Sequence, residues 1–388
     1  MEIRVLTKEE SSLGRPIWAQ AFSHGGFSIV DDHVDTSHGK SYICGVFDDA
    51  GLQCVVVVND YRIYLGDRAI VPMGGIGGVA CLPAVRGKGY AGACLRYSIA
   101  QMRESGHVVS LLGPFSWDYY RRFGWEWVGV ARKYAATSSC LPNSPETESV
   151  RAATEADFPT IHRLYESYSK RYRGCLQRAE KAWDWLKDDS NRYTYTYLYE
   201  RDGVAEGYLT IRGGKEEETR ISEFIALTGR AQRGLLGLLR RHTMQTKKFT
   251  WNAPENDPLW SQFYHWDIET RLEPCMQGRV VDFAAALQAW KPDADKSGSV
   301  VVALNDSDAD WNTGTWRVEY EGGEAQVART TQKAQISLDI QAMSQVYFGA
   351  PEIDIMRRAD RLEVHDEQGY SDFKTLMRGP VMWMNDSF

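Results

Sequence analysis

The segment Val79-Ala-Cys-Leu-Pro-Ala-Val-Arg-Gly-Lys-Gly-Tyr-Ala-Gly-Ala-Cys-Leu95 constrains this chain more than any other, because it reads as a strand, a glycine-rich turn and a helix start without a break. The turn residues Arg86, Gly87, Lys88, Gly89 and Ala91, in the pattern Arg-x-x-Gly-x-Ala, keep side chains small where the backbone meets a ligand and set two cations beside it. The first amides of a helix have no partner within it and lie at the positive end of its dipole, so a diphosphate binds there through backbone alone. Alone, the pattern fits two readings: a pyrophosphate cradle, or an ordinary connection with Arg86 and Lys88 in solvent. It is not a nucleoside-triphosphate loop, since Gly-Lys-Ser/Thr is missing, and it lacks the full Gly-x-Gly-x-x-Gly and downstream acid of a dinucleotide fold.

A length of 388 residues predicts two or three domains. With 43% hydrophobic and 25% charged residues the composition is that of a soluble globular protein. The net charge of −7 argues against nucleic acid, which needs a concentrated basic face, and favours a cationic or neutral substrate. Charges in Met1-Glu-Ile-Arg-Val-Leu-Thr-Lys-Glu-Glu10 stand where a secretory signal places its apolar core, and no run approaches the roughly 20 apolar residues of a membrane span. A cytoplasmic protein with no membrane partner is expected. Seven scattered cysteines, none in Cys-x-x-Cys spacing, and eight dispersed histidines predict a reduced chain with no disulfide frame and no metal site.

Along the chain, a strand at Glu2–Leu6 and a helix ending near Phe22 precede apolar runs at Tyr42–Phe47, Gln53–Val58 and Tyr61–Leu65, which read as an antiparallel meander. Ala91, Cys94, Leu95, Ser98, Ile99 and Met102 recur at helical spacing, and Val108–Leu112 is a buried strand. The polar stretch Thr137–Ser149 marks a linker. Thr154 and Asp157 then cap a helix, followed by strands at Tyr193–Tyr199, Gly207–Arg212 and Ile221–Leu227 and a helix at Arg230–Arg241. This order repeats the first part and indicates a duplication, with Leu235 and Leu236 replacing the small residues of the turn as in a decayed copy. A third unit combines strands at Val300–Leu304, Thr315–Tyr320 and Glu324–Ala328 with helices at Asp339–Phe348 and Ile355–Ala359. The expected boundaries are 1–149, 150–283 and 284–388. The tail from Leu376 is largely apolar and ends on Phe388, which predicts a docked chain end, since most termini are polar and frayed.

After the strand at Val108–Leu112 comes Pro114-Phe-Ser-Trp-Asp-Tyr-Tyr-Arg-Arg-Phe-Gly-Trp-Glu-Trp127. A glycine turn followed by Tyr-x-x-x-Gly-aromatic resembles the GNAT N-acetyltransferases. The segment Tyr119-Tyr120-Arg-Arg-Phe-Gly-Trp125, the duplicated unit and a third module ending in phenylalanine resemble, over the whole chain, the enhanced intracellular survival (Eis) family. That resemblance implies an α+β fold of two tandem GNAT-like (acyl-CoA N-acyltransferase) units, only the first keeping a cofactor site, followed by a sterol-carrier-protein-like α+β domain whose terminus docks in the active site. It implies acetyl-CoA as co-substrate and a hexamer. Tyr120 takes the place of the family's proton donor, whereas Tyr119 has no such counterpart, and the α-carboxylate of Phe388 takes the place of the proton acceptor. The backbone edge of Val79, Ala80 and Cys81 would pair with pantetheine as an added strand does. Arg86, Gly87, Lys88, Gly89, Tyr90, Ala91 and Gly92 would cradle the pyrophosphate, and Phe115 and Ser116 would line the cofactor arm. Where the family has an acid before the terminal phenylalanine this chain has Ser387, with Asp386 placed to compensate.

The chemistry asks for a group that takes the proton of an ammonium and one that protonates the departing thiolate. A free α-carboxyl titrates near ~3.5 and is a weak base unless burial or a neighbouring acid raises it, or unless it acts through water. Phe388 therefore also reads as an apolar plug whose carboxylate is a counter-ion for the substrate. Asp31, Asp32 and Asp35 fit either a cation-attracting loop or a solvated one, and Trp117, Trp125, Trp127, Trp183 and Trp185 fit either an apolar wall or core packing. The expectation is direct acetyl transfer to a primary amine of a cationic small molecule, aminoglycoside- or polyamine-like, without a covalent enzyme intermediate. The alternative is a non-catalytic acyl-CoA or lipid-binding protein on the same scaffold.

Overall fold

The computed structural model describes residues 1–22, 41–179, 183, 194–212, 218–242, 248–262 and 265–388. One unit comprises residues 1–129, 275–380 and 386–388, and the other residues 130–274 and 381–385. Among the described residues no helix is long and apolar enough to cross a membrane.

The first unit contains a sheet in the order β1 (Glu2–Val5), β2 (Tyr42–Asp48), β3 (Gly51–Leu65), β4 (Ile70–Cys81), β5 (Val109–Leu112), then the strand Gln277–Val280, then β6 (Glu126–Trp127). β1 to β4 pair antiparallel and β4 pairs parallel with β5. Strand side chains alternate, so β3 sends Cys54, Val56 and Val58 to a core shared with Cys94, Leu95, Ile99 and Met102 of α2 (Tyr90–Glu104). Its Val55 and Val57 join Ile17 and Trp18 of α1 (Arg15–Phe22) in a separate core.

The meander differs from the expected one at Asn59-Asp60, read as a break between strands. β3 runs through it unbroken, with Asn59 opposite Gly75 and Asp60 opposite Gly74. The Asp60 amide donates to Ser41 Oγ (3.2 Å) and its carboxylate meets His107 Nε2 (2.9 Å). Strand pairing and these bonds override a weak local propensity for turning.

This unit also contains a second sheet in the order Glu324–Arg329, Gly314–Glu321, Gly298–Asn305, Ile336–Asp339, Glu363–Val364. Trp316, Val318 and Tyr320 are buried and alternate with exposed Arg317, Glu319 and Glu321, the period of a half-covered sheet. Helices Phe283–Ala289, Ile340–Phe348 and Glu367–Leu376 each begin at an aspartate, Asp282, Asp339 and Asp366, whose side chain accepts from the amide of Ala285, Ala342 and Gly369 respectively.

The second unit has a sheet in the order Glu269–Pro274, Val130–Ala136, Lys248–Pro254, Glu218–Ala226, Val204–Arg212, Thr194–Arg201, Val150–Ala152. Thr154 and Asp157 form the expected capping box ahead of the helix Phe158–Ser169. The end of the chain is docked here over Val381–Asn385. Arg173 donates its amide to the Val381 carbonyl (3.0 Å) and accepts from the Trp383 amide (2.9 Å). Asn385 Nδ2 donates to the Ser222 carbonyl at 2.9 Å.

Candidate active site

The site begins where β4 and β5 part. They pair from Met73 opposite Val109 to Ile76 opposite Leu112, where β5 ends while β4 continues to Cys81. In that continuation one residue of β3 faces two of β4, between the pairs Val57–Gly77 and Val55–Ala80. The extra residue is absorbed at Gly78, whose φ of 53° is one that glycine adopts without strain, and Trp18 Nε1 fixes the bulge by donating to the Gly78 carbonyl at 2.7 Å. Beyond the bulge Val79, Ala80 and Cys81 have β3 on one side and no strand on the other among the described residues, an edge open to an extended ligand.

The turn after β4 delivers the anion site. Gly89 is the N-cap of α2 and offers no side chain, and the first helical bond runs from the Ala93 amide to the Gly89 carbonyl (3.0 Å). The amides of Tyr90, Ala91 and Gly92 therefore lie ahead of the ladder. A Cβ built on Gly87 or Gly89 would meet nothing within 4 Å, so the cradle is open on that side. Arg86 and Lys88 are exposed and have no ion-pair partner among the described residues. The Tyr90 hydroxyl is engaged with Asp48 Oδ2 (3.0 Å), which leaves its backbone for a ligand. Open amides, small residues and two unpartnered cations fit a pyrophosphate.

Tyr120 lies in α3 (Trp117–Arg121) and is 4% exposed. It shares a core cluster with Ile76 and Leu112, the last pair before the strands separate. Its ring meets those of Phe115 (5.4 Å, edge-on) and Tyr119 (5.3 Å, edge-on). Its hydroxyl makes no hydrogen bond among the described residues. Burial pushes its pKa well above the usual phenol value, with Tyr119 adding to the shift. Phe115 is 72% exposed at the mouth of the parting strands.

Phe388 sits on the other face of β4. Its ring is 5.1 Å from that of Tyr61. The position a Cβ would take on Gly75 is 3.0 Å from Phe388 Cδ2, and on Gly77 it is 3.4 Å from the terminal carboxyl carbon. The ring thus lies over Gly75 and the carboxyl over Gly77, whereas Ile76 between them points to the Tyr120 side. The structure brings both residues to one point of one strand, from opposite faces.

Comparison with known proteins bears on what this arrangement is. The acetyltransferase (GNAT) domain family Acetyltransf_9 matches residues 2–128, a second GNAT domain family, Acetyltransf_17, matches 174–280, and the sterol carrier protein domain family SCP2_2 matches 283–385. N-acetyltransferase Eis of Mycobacterium tuberculosis is 25% identical over 341 residues, covering 80% of this chain and 79% of that protein. The chain is an Eis-like GNAT N-acetyltransferase. An uncharacterized N-acetyltransferase of Streptomyces avermitilis is likewise 25% identical to the Eis-like chain, covering 93% of each. In fold, the Eis-like chain matches a GCN5-related N-acetyltransferase from Anabaena variabilis (TM-score 0.86, 19% identity, all of both chains) and Eis1 from Mycobacterium abscessus (TM-score 0.81, 19% identity, all of both chains).

The second GNAT unit of the Eis-like chain shows what the first keeps open. There, too, parallel strands part, after Arg220 opposite Thr250. However, the helix Gly229–Arg240 is capped by the Thr228 side chain, which accepts from the Ala231 amide (3.2 Å). Gln262 Nε2 donates to Gln232 Oε1, Gln232 Nε2 to Asp257 Oδ2 (3.4 Å) and Arg233 to Gln262 Oε1 (3.1 Å). Side chains occupy one another at the helix start, where the first unit has bare glycine.

Several expectations change. Cys54 and Cys81 form a disulfide, which corrects the reading of a wholly reduced chain. The two oppose each other in β3 and β4, and the bond from the Leu82 amide to the Gln53 carbonyl (2.9 Å) marks theirs as a non-hydrogen-bonded pair, whose side chains approach most closely. Cysteine spacing carries no trace of that register. Trp125 and Trp183 are core residues, 0% and 6% exposed, whereas Trp185 and the loop carrying Asp31, Asp32 and Asp35 lie outside the described residues. In the second unit Cys140, His265 and Asp267 bring donor atoms within 4.8 Å of one another, the last two being exposed. Sequence reading missed Gly75, Gly77, Asn59 and Tyr61. The signal was Gly74-Gly-Ile-Gly-Gly78, a glycine density that in a strand marks a bulge or a close approach.

Proposed function

We propose that this N-acetyltransferase moves the acetyl group of acetyl-CoA directly to a primary amine of a cationic small molecule, aminoglycoside- or polyamine-like. Val79 to Cys81 bind pantetheine by backbone pairing, and Arg86 to Gly92 hold the pyrophosphate. The acceptor ammonium gives a proton to the carboxylate of Phe388, directly or through one water. Its lone pair attacks the thioester carbonyl, the carbon–sulfur bond breaks, Tyr120 delivers its phenolic proton to the departing sulfur, and the second proton shed by the acylated nitrogen restores the phenol while the carboxyl of Phe388 releases its proton to solvent. The products are an amide and a free thiol, and no residue is acetylated on the way.

The observation that carries this reading is the placement of Tyr120 and Phe388 on opposite faces of β4 at Ile76. An acceptor and a thioester meeting at the gap between β4 and β5 would have a proton acceptor on one side and a proton donor on the other. The net charge of −7 and the terminal carboxylate both favour a cation. The wider reading includes a cytoplasmic homo-oligomer, a hexamer, which light scattering on the eluting protein would count. The test of function is a panel of polyamines, aminoglycosides and lysine peptides with acetyl-CoA, scored by thiol release and by the acetyl groups per product. Turnover confined to lysine peptides, or none with any amine, overturns the substrate class.

A further inference from the structure

We infer that Asn59 is a positioning residue for the carboxylate of Phe388, an assignment that rests on the role proposed above for that carboxylate. Asn59 is 2% exposed in the middle of β3. It occupies the face that carries Val55, Val57 and Tyr61, all buried, so an amide stands in an apolar row at the level of the chain terminus. Its register partner is Gly75, over which the Phe388 ring lies, and the next pair on the same face is Val57 with Gly77.

The decisive geometry is at Gly77. The three heavy atoms nearest to the position its Cβ would occupy are Phe388 C (3.4 Å), Asn59 Nδ2 (3.7 Å) and Phe388 O (3.7 Å). The amide nitrogen and the carboxyl each lie within 3.7 Å of that one position, which holds no side-chain atom because residue 77 is glycine. A methyl there would enter the space the two share. The amide nitrogen carries two donors and an ionised carboxylate only accepts, so the chemical match is one way round. A donated hydrogen bond lowers the proton affinity of a carboxylate, and a neutral donor lowers it less than a cation does. Lysine or arginine at this position would fix the carboxylate equally well but, as an opposite charge, would depress its proton affinity. Placing the donor on an interior strand of the sheet, between β2 and β4, holds it more rigidly than a loop would.

The test compares the full chain, Asn59→Leu, a chain lacking Phe388, and the double variant. Each is assayed for kcat and KM with the amine panel and for acetyl-CoA affinity. The proteins are also labelled with phenylalanine carrying 13C at the carboxyl carbon, in which the terminal resonance is identified by its loss on deleting Phe388. The expected result is that Asn59→Leu lowers kcat at least about tenfold with acetyl-CoA affinity unchanged, costs nothing further when Phe388 is absent, and moves the terminal carboxyl resonance. A terminal resonance unmoved in Asn59→Leu, or the same loss of kcat with and without Phe388, overturns the inference. If deleting Phe388 leaves turnover unchanged, the catalytic role of the carboxylate fails, while the resonance still decides whether Asn59 holds it.

Discussion

The last residue of the chain, Phe388, rests its ring 5.1 Å from Tyr61, and no Cβ on Gly75 would fit beneath the two: it would lie 2.7 Å from Tyr61 Cδ2 and 3.0 Å from Phe388 Cδ2. In Gly75→Ala one ring must move, and the chain end is the freer of the two. Because small misplacements of reacting groups cost rates heavily, kcat is expected to fall about tenfold to a hundredfold with acetyl-CoA affinity kept. Steady-state kinetics beside calorimetric titration with acetyl-CoA separates the two quantities.

Tyr120→Phe removes the proposed proton donor without changing the shape of the aromatic cluster. Turnover is expected to fall at least about tenfold, with unaltered thermal stability. The pH profile adds a sign. Burial raises the Tyr120 pKa above the ordinary phenol value, so the folded protein keeps the hydroxyl protonated to higher pH than a free tyrosine. The wild-type rate should therefore show no loss attributable to this group below about pH 10. An alkaline limb near neutrality that disappears in Tyr120→Phe contradicts this.

Arg86 and Lys88 stand exposed beside the open amides of α2. Exposed charges are screened by salt, so each substitution by alanine is expected to weaken acetyl-CoA by about 1 kcal/mol at low ionic strength and less at high. Affinity measured across a salt series, with kcat unchanged at saturation, checks it.

The motif glycine Gly124 has a physical reason that lies far away in sequence. A Cβ there would fall 1.5 Å from Arg279 Nη1, and φ is 87°. Arg279 is fully buried, donates to the Phe123 carbonyl (2.7 Å) and to both carboxylate oxygens of Asp306 (2.9 and 2.7 Å), and Asn312 Nδ2 also donates to Asp306 (2.9 Å). Arg279→Met leaves the Asp306 carboxylate buried without its counter-charge and is expected to cost about 3–5 kcal/mol, read as a lowered denaturant midpoint. Arg279→Met with Asp306→Leu should recover much of that loss.

What the sequence disclosed follows from how local each signal is. The turn from Arg86 to Gly92, the capping box at Thr154 and Asp157 and the helical spacing of Cys94, Leu95, Ile99 and Met102 are short-range patterns, and the structure shows each of them. The continuity of β3 through Asn59-Asp60, the Cys54–Cys81 pair and the seat of the terminus on Gly75 and Gly77 depend on which residues of another strand or segment stand opposite. Such register is set by tertiary pairing and leaves no mark in the spacing of one segment. The glycine run of β4 was visible, but what approaches it comes from the far end of the chain.

The central claim is tested most directly by adding one glycine after Phe388. The extension keeps the phenylalanine ring and displaces the carboxylate by about 3.5 Å, the length of one residue. The account predicts that thiol release with the best amine of the panel collapses while acetyl-CoA binds with wild-type affinity. Unchanged turnover in the extended chain would contradict it.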